Sequence, residues 1–545
     1  MPLQRENVSP AAIDKPRTEV RPATWLNISE AVLLGAAVSL TVFALQWRYG
    51  FNLGDEGWLW YASQRTALGE IPFRDFFSYD PGRYYWSAAI FKLLERSGWY
   101  EQLLANYLFA IIGLALAYFA MLRARVRLPM RIAMLILLGV VIGFPRHKIY
   151  EQTLSLIAVA AIAFVFAAPQ KINRWFSLGL VIGLAAFFGR NSGVFCAIAT
   201  VVAFVVLHLR GEGPRPVRTL AALASGTVMG YSPMIVMLVA VHGFAKPFFQ
   251  SVLMTPKWAW SLPIPFPWHV HLRGLTAVDR LQARTVAWLC VAVPLTYAVA
   301  LGRALRSQAK LDNAERLSVA ASAAGVGFLV HAFYTADFFH IAEGVVPFVI
   351  AAGALSVHWW GGRIRRRSAI LFGGMAFLVL ASWLPMEPLV QCLRARGNTP
   401  GKFVHLRIDG KGFLVPSMSA AIMQAAASAF HNCGGRDGGF LAAPYYPGLY
   451  AFLNTRAPSW DTYYLWPRND QIQQAEIDDL QRDRTSLFFL NPTFAINGRE
   501  NLEFARTNPK LLGYIESHYQ RAEPELPDGF KFYYSLECGQ PPGTK

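Results

Sequence analysis

Long apolar stretches recur along the first 385 residues of the chain and are separated by short polar runs. A helix needs about 20 mostly apolar residues to cross the hydrocarbon core of a membrane, so we interpret about eleven of these stretches as membrane-spanning helices. They cover approximately Leu26–Trp47, Gln102–Leu122, Ile132–Phe144, Gln152–Ala168, Trp175–Gly189, Ser192–Leu209, Thr219–Val241, Thr285–Gly302, Leu317–Phe333, Gly344–Trp360 and Ser368–Pro385. The third is short, and only Arg190-Asn191 separates the fifth from the sixth, so about nine to thirteen spans fit the pattern.

Arg and Lys residues are concentrated in every second loop between these stretches. They are Arg123, Arg125, Arg127 and Arg131; Lys171 and Arg174; Arg210, Arg215 and Arg218; Arg303, Arg306, Lys310 and Arg316; and Arg363, Arg365, Arg366 and Arg367. Loops rich in Arg and Lys face the cytoplasm. The N-terminal tail is basic too, so the pattern predicts a chain that begins inside and ends outside.

This topology divides the chain into three predicted domains. Residues 1–25 form a cytoplasmic tail, residues 26–385 a transmembrane domain with outer loops at 48–101 and 242–284, and residues 386–545 an extracytoplasmic soluble domain. In the last of these, strand-like runs at Ser486–Leu490 and Lys531–Leu536 and a helical stretch at Asp470–Asp483 predict a small α/β fold. One disulfide can form there among three cysteines, and spacing does not select the pair. They are Cys392, Cys433 and Cys538.

Composition supports a membrane protein and excludes several enzyme classes. Only 16% of the 545 residues are charged, against about 25% in soluble domains. The formal charge of +17 is explained by the cytoplasmic loops and does not require nucleic acid as a partner. The sequence has no CxxC, HExxH, GxSxG, phosphate-binding or dinucleotide-binding motif. It therefore lacks the motifs typical of zinc proteases, serine hydrolases and ATP-driven transporters.

Acidic and aromatic residues alternate in the first outer loop, directly after the first span. An adjacent pair of acids, Asp55-Glu56, is bracketed by Gly54 and Gly57. Glycine permits tight turns, so we expect the backbone to bring Asp55 to the water-facing mouth of the helix bundle. The alternative is that the rings anchor the chain at the membrane interface and the acids are merely solvated.

This loop resembles the first extracytoplasmic loop of the integral-membrane GT-C glycosyltransferases. That superfamily includes protein O-mannosyltransferases, lipid A aminoarabinose transferases and lipopolysaccharide-core galacturonosyltransferases. The resemblance rests on the acid pair, on a Gly-x-x-Pro-Phe-x-Asp-Phe element at Gly69–Phe76 and on a Pro-x-x-x-Tyr element at Pro81–Tyr85. Weaker similarities are Gly189–Gly193, Asp337–His340 and the Pro444–Tyr450 stretch of the C-terminal segment.

The resemblance implies transfer of a sugar, with inversion, from a polyprenyl-phosphate-linked donor to a lipid, glycan or protein acceptor. It implies a multi-pass protein of the bacterial inner (plasma) membrane whose active site faces the periplasm or the outside. A sugar hydroxyl is a weak nucleophile, so a carboxylate must take its proton. We expect Asp55 to be this base and Glu56 to be a second catalytic group that orients the acceptor or a metal.

Metal-dependent relatives carry a further acidic motif in a second outer loop. The loop at 242–284 has no Asp-x-Asp or Glu-x-Asp sequence. The sequence pattern is therefore compatible with a reaction that uses a divalent cation such as Mg²⁺ or Mn²⁺ and with one that uses none.

The departing phosphate is already a stable anion, so cations should replace the general acid that a glycosidase uses. Basic residues at the outer ends of predicted spans are the candidates for binding the donor phosphate. They are Arg146 and Lys148, Arg190, and His340. The first two can instead be snorkelling interfacial residues, whereas an Arg between two apolar runs on the outer side is costly unless it is paired.

Further residues are expected to shape the substrate site. We expect Asp75, Asp80 and Tyr84 of the first outer loop to contribute to it, although an Asp before a proline often only starts a turn. The Trp- and Pro-rich second outer loop includes Trp258 and Trp260. It can cover the site and hold the donor, or serve as a static interfacial anchor.

Three other functions fit a polytopic protein. A transporter or flippase would carry charges near the middle of its spans, whereas the acids here cluster on one side. A lipid-linked polymer ligase of the cell envelope also faces outward, but we expect it to depend on basic residues in a large loop. A non-catalytic scaffold would place no demand on Asp55.

Overall fold

The computed structural model describes residues 24–258, 266, 270–358, 365–399, 401–433, 439–522 and 529–534. The helices of the bundle and its outer loops follow in chain order. They are α1 Trp25–Gln46, α2 Asp55–Ala67, α3 Gly82–Leu94, α4 Trp99–Arg123, α5 Leu128–Gly143, α6 Ile149–Ala167, α7 Ile172–Phe188, α8 Arg190–Leu209, α9 Pro216–Gly230, α10 Ser232–Ala240, α11 Ala245–Trp258, α12 Ala277–Arg306, α13 Asn313–Tyr334, α14 Phe338–His358 and α15 Arg365–Trp383.

Every apolar window predicted from the sequence corresponds to a helix in this bundle. Within the described residues, eight helices are long and apolar enough to cross a membrane, and α5 and α7 are shorter apolar helices. The seventh window forms the pair α9 and α10, which meet at a bend of 54°. Proline lacks an N–H and cannot continue a helix, so Pro233 in the first turn of α10 explains the bend. The prediction of a polytopic α-helical membrane protein is confirmed.

Helices α7 and α9 pack with their backbones in close contact. Gly179 and Gly183 on α7 face Gly226 and Gly230 on α9. A Cβ atom on Gly226 would lie 2.2 Å from the carbonyl oxygen of Phe176. Small residues four positions apart permit such contact between membrane helices.

The first outer loop contains two helices that the apolar pattern did not predict. Helices α2 and α3 are 13 residues each. Ten residues of α2 are buried, among them Trp58, Trp60 and Gln64, so the helix has no exposed polar face. A pattern search for amphipathic helices misses such a segment, because it expects polar residues along one side.

The C-terminal segment combines helices with two small sheets. Its elements are α16 Pro388–Asn398, β1 Phe403–Ile408, β2 Lys411–Pro416, α17 Ser417–Asn432, β3 Phe440–Ala443, α18 Pro447–Leu453, α19 Asp470–Arg482, β4 Leu487–Leu490, α20 Phe504–Thr507, α21 Pro509–His518, β5 Gln520–Arg521 and β6 Lys531–Tyr534. Strands β1 and β2 form an antiparallel hairpin, and the second sheet has the order β3-β4-β6-β5. The predicted helix at Asp470–Asp483 and both predicted strands are confirmed. Cys433 is disulfide-bonded, whereas Cys392 is free.

The C-terminal segment is held against the first outer loop by backbone hydrogen bonds. Gly50 N–H donates to the carbonyl oxygen of Leu414 at 2.8 Å, which attaches the hairpin to the chain that leaves α1. Phe77 N–H donates to the carbonyl oxygen of Trp460 at 2.7 Å. The two parts of the chain therefore meet at the end of the bundle where the chain leaves α1.

Candidate active site

A cavity of about 1060 Å³ lies where the bundle, the first outer loop and the C-terminal segment meet. Its walls come from the N-terminus of α2, a 3₁₀ turn at Arg146–Lys148, the outer ends of α6, α13 and α14, and the C-terminal segment. Four carboxylates line it in the described part of the chain: Asp55, Glu56, Glu151 and Asp337.

Asp55 is the first residue of α2, and its side chain is 45% exposed. Its Oδ1 accepts a hydrogen bond from the hydroxyl of Tyr445 at 2.7 Å, and its Oδ2 lies 3.9 Å from Nε2 of His147. The sequence-based prediction that Asp55 reaches a water-facing cavity agrees with this position. The tyrosine comes from the C-terminal segment, which the sequence could not place here.

Glu56, the next residue, points away from solvent and pairs with Arg146. The Nε and Nη2 atoms of Arg146 donate to Oε1 and Oε2 of Glu56 at 2.7 and 2.9 Å. The third nitrogen, Nη1, donates to the carbonyl oxygen of Tyr49 at 2.8 Å, and both side chains are buried. Both residues line the cavity, and the charged group of each is paired with that of the other. The roles predicted for Glu56 in catalysis and for Arg146 in phosphate binding stay predictions.

Lys148 lines the cavity as expected, and a buried acid holds its ammonium group. Its Nζ donates to Oε1 of Glu343 at 3.1 Å. The same Oε1 lies 3.2 Å from Nδ1 of His331. One carboxylate thus fixes two basic groups of neighbouring helices at the wall of the cavity.

His340 also lines the cavity, where it forms a dyad with Asp337. Its Nδ1 lies 2.7 Å from Oδ1 of Asp337, and its ring centroid lies 4.3 Å from that of His331. Burial opposes ionisation of Asp337, but the hydrogen bond and charge of His340 outweigh it and lower the pKa of this carboxyl. With Nδ1 engaged, Nε2 of His340 is the nitrogen left to face a ligand.

Arg83 and Glu151 form a further buried ion pair at the cavity. Nη1 of Arg83 donates to Oε1 of Glu151 at 2.8 Å, and Nε donates to the carbonyl oxygen of Phe188 at 3.0 Å. Sequence reasoning missed this pair, as it missed His331 and Glu343. Glu151, His331 and Glu343 lie at the edges of apolar windows, and an ionisable residue in that position was the available signal. Arg83 lies within the first outer loop, where no such signal marks it.

Arg190, predicted to bind phosphate, does not line the cavity. Its backbone N–H donates to Oδ2 of Asp80 at 2.8 Å, and its Nη2 donates to the hydroxyl of Ser251 at 3.0 Å. Its Nε lies 3.4 Å from the same Asp80 oxygen. The partner that the sequence required for this Arg is therefore Asp80, another predicted substrate residue that lies outside the cavity wall.

The remaining predicted residues lie in different places. Asp75 pairs with Arg74 at 2.8 Å and accepts the N–H of Ile71 at 2.7 Å, so it organises its own loop and not the cavity. Tyr84 is buried, lines the cavity and accepts a hydrogen bond at its hydroxyl from the N–H of Tyr79 at 3.1 Å. The side chain of Trp258 and the whole of Trp260 lie outside the described residues.

A site for a divalent cation such as Mg²⁺ needs several oxygen ligands that are free to bind it. Among the described residues, no group of three or more His, Cys, Asp or Glu side chains is placed to hold a metal ion. Of the cavity's carboxylates, Glu56, Glu151 and Asp337 already have basic partners. Among the residues that the structure describes, the paired carboxylates of the cavity do not fit a metal site.

Two solved membrane proteins are similar to this chain in overall outline. An oligosaccharyltransferase from Archaeoglobus fulgidus, solved with a tethered acceptor peptide, is 12% identical, with a TM-score of 0.44 over 95% of this chain and 75% of that one. ArnT from Cupriavidus metallidurans bound to undecaprenyl phosphate is 12% identical, with a TM-score of 0.48 over 93% and 98% of the two chains. Its apo form is 14% identical, with a TM-score of 0.43 over the same shares.

The first of these proteins is an oligosaccharyltransferase, and the second is ArnT, solved with and without undecaprenyl phosphate. At these identities and TM-scores the likeness concerns the outline of the fold alone. No protein-family model and no curated protein matches the sequence.

Proposed function

We propose that this chain is an inverting glycosyltransferase that moves a sugar from a polyprenyl-phosphate-linked donor to an acceptor hydroxyl, with Asp55 as the general base. One observation supports this most strongly. Glu56, Glu151 and Asp337 each have a basic hydrogen-bonding partner in the described chain. Asp55 accepts its hydrogen bond from a neutral tyrosine and keeps an exposed carboxylate. A general base needs a free oxygen within reach of the acceptor proton.

The reaction is a single displacement. Asp55 takes the proton of the acceptor hydroxyl while that oxygen forms a bond to the anomeric carbon from the face opposite the phosphate. The bond between this carbon and the phosphate oxygen breaks at the same time, and its electron pair leaves with the polyprenyl phosphate. Attack from the opposite face inverts the anomeric configuration. The leaving phosphate carries its own negative charge and needs no proton from the protein.

Lys148 is the cation best placed to stabilise the departing phosphate. An ammonium group has three donors, and the bond to Glu343 uses one of them. His340 supplies a second polar contact through Nε2. Donors already fixed in a partly water-excluded cavity stabilise developing charge without reorganisation.

The direction of the cavity relative to the membrane follows from the basic loops. Loops rich in Arg and Lys remain inside, so the opposite side, with Asp55 and the C-terminal segment, faces outward. This corresponds to the periplasmic side of a bacterial inner membrane. The acceptor is then a lipid, a glycan or a protein at the outer surface.

The test is donor consumption by the purified full-length protein in detergent. Undecaprenyl phosphate linked to glucose, mannose, galacturonic acid or 4-amino-arabinose is supplied with membrane extract, and mass spectrometry follows the donor and the modified acceptor. We expect one donor to be consumed and its sugar to appear on an acceptor with inverted configuration by NMR. The same protein is also reconstituted into lipid vesicles. If it moves the intact donor across the vesicle membrane and consumes none, the proposal is contradicted.

A further inference from the structure

The loop at residues 444–448 fits tightly against the N-terminus of α2. The N–H of Gly448 donates to the carbonyl oxygen of Leu53 at 2.9 Å. A Cβ atom on Gly57 would lie 2.5 Å from the backbone of Gly448, and one on Gly54 would lie 2.8 Å from the ring of Tyr445. The two glycines therefore permit close contact. Gly54 also lies in the turn that leads into α2, as the sequence pattern predicts.

This contact places the hydroxyl of Tyr445 on the carboxylate of Asp55. The ring of Tyr445 is 8% exposed, and its centroid lies 4.5 Å from that of Tyr463 and 6.4 Å from that of Trp58. Burial, and next the charge of Asp55, raise the pKa of Tyr445 well above its ordinary value. The hydroxyl therefore keeps its proton at neutral pH and remains a hydrogen-bond donor to Asp55.

We propose that Tyr445 is a positioning residue for Asp55: its hydroxyl holds Oδ1, so that Oδ2 faces His147 and the cavity, ready for the acceptor proton. The assignment rests on the proposed role of Asp55 as the base. It makes the C-terminal segment a part of the active site. A residue 390 positions away in the chain then controls the orientation of the base.

Without the hydrogen bond from Tyr445, Oδ1 of Asp55 loses its donor, and the side chain should be free to rotate. Other groups that face Asp55 are the imidazole of His147 and the phenols of Tyr79 and Tyr463, and Tyr445→Phe leaves all three in place. A change in the surroundings of this carboxylate can therefore be assigned to the lost hydroxyl.

The experiment compares the full-length wild-type protein with Tyr445→Phe. The matched control is Tyr533→Phe, since the hydroxyl of Tyr533 also donates to a carboxylate, that of Glu516, at 3.1 Å outside the cavity. Infrared difference spectra follow the carboxylate stretching bands of Asp55, which are the bands that disappear in Asp55→Asn. A hydrogen bond to one oxygen changes these bands, so in Tyr445→Phe we expect them to shift, and we expect turnover to fall about tenfold with an unchanged KM for the donor. The control should leave the bands and the turnover unchanged.

Gly57→Ala provides a second route to the same contact. Its Cβ would push the 444–448 loop away from α2 without altering either hydrogen-bonding group, so the carboxylate bands should shift in the same direction. Unchanged bands in Tyr445→Phe and Gly57→Ala would overturn the positioning role. The infrared measurement needs no donor, so it decides the role of Tyr445 even if the wild type consumes no sugar donor, a result that would contradict only the proposed function.

Discussion

Asp55 and Glu56 are neighbours in sequence but lie in two different environments. Asp55 is 45% exposed at the cavity and receives a hydrogen bond from a neutral tyrosine. Glu56 is buried and is held at both oxygens by Arg146. Successive residues of a helix point about 100° apart, so the first turn of α2 exposes one acid to the cavity and buries the other against Arg146 in the cavity wall. Of two adjacent acids in a motif, one can therefore be available to a substrate while the other stabilises the fold through an ion pair.

The largest effect is expected from Arg146→Ala, which removes the partner of the buried Glu56. Removing one partner of a buried ion pair leaves an uncompensated charge and costs about 3–5 kcal/mol. We expect a large loss of stability, measured by thermal unfolding in detergent. The double variant with Glu56→Gln and Arg146→Met should lose less than the single one. If Arg146→Ala unfolds like the wild type and fails only in donor binding, its predicted role in phosphate binding is correct.

An intermediate effect is expected from Lys148→Met, on the donor side of the cavity. A hydrogen bond to a charged group contributes about 1.5–3 kcal/mol, so the KM for the donor should rise about ten- to hundredfold. Lys411→Met is the matched control, because Nζ of Lys411 donates to Glu101 at 3.1 Å, the same distance as in the Lys148 pair, but outside the cavity. Equal KM values for wild type and Lys148→Met would remove this residue from the donor site.

The smallest effect is expected from Asp75→Asn, an acid of the same outer loop. Its partner Arg74 is partly exposed, and such pairs contribute about 0.2–1 kcal/mol. Turnover should stay within about threefold of the wild type in the donor-consumption assay. A loss of a hundredfold or more would return Asp75 to the substrate site predicted from the sequence.

The membrane helices were accessible to sequence reasoning because each depends on a local property, a run of apolar residues long enough to span. The position of Asp55 was accessible for a similar reason, since it directly follows the first span. The partners of the charged residues were not. Arg190 meets Asp80 across 110 positions, and Asp55 meets Tyr445 across 390. Such contacts depend on how distant segments pack, which a single sequence does not encode in any local pattern.

The same limit explains why Arg146 and Lys148, two positions apart, are assigned the same role from the sequence. In the 3₁₀ turn after α5, Arg146 faces the buried Glu56 and Lys148 faces Glu343. Both were expected to bind phosphate because both are basic and lie at an outer helix end. Only the fold determines which cation is already fully paired.

The most direct test of the central claim is the single-turnover rate of donor consumption by wild type and Asp55→Asn at equal donor occupancy. Asp478 lies on the exposed face of α19, so Asp478→Asn controls for the effect of an Asp-to-Asn substitution itself. We predict that Asp55→Asn binds the donor and unfolds like the wild type but reacts about a hundredfold or more slowly, as expected for a lost general base. A rate equal to that of the wild type would contradict the assignment of Asp55.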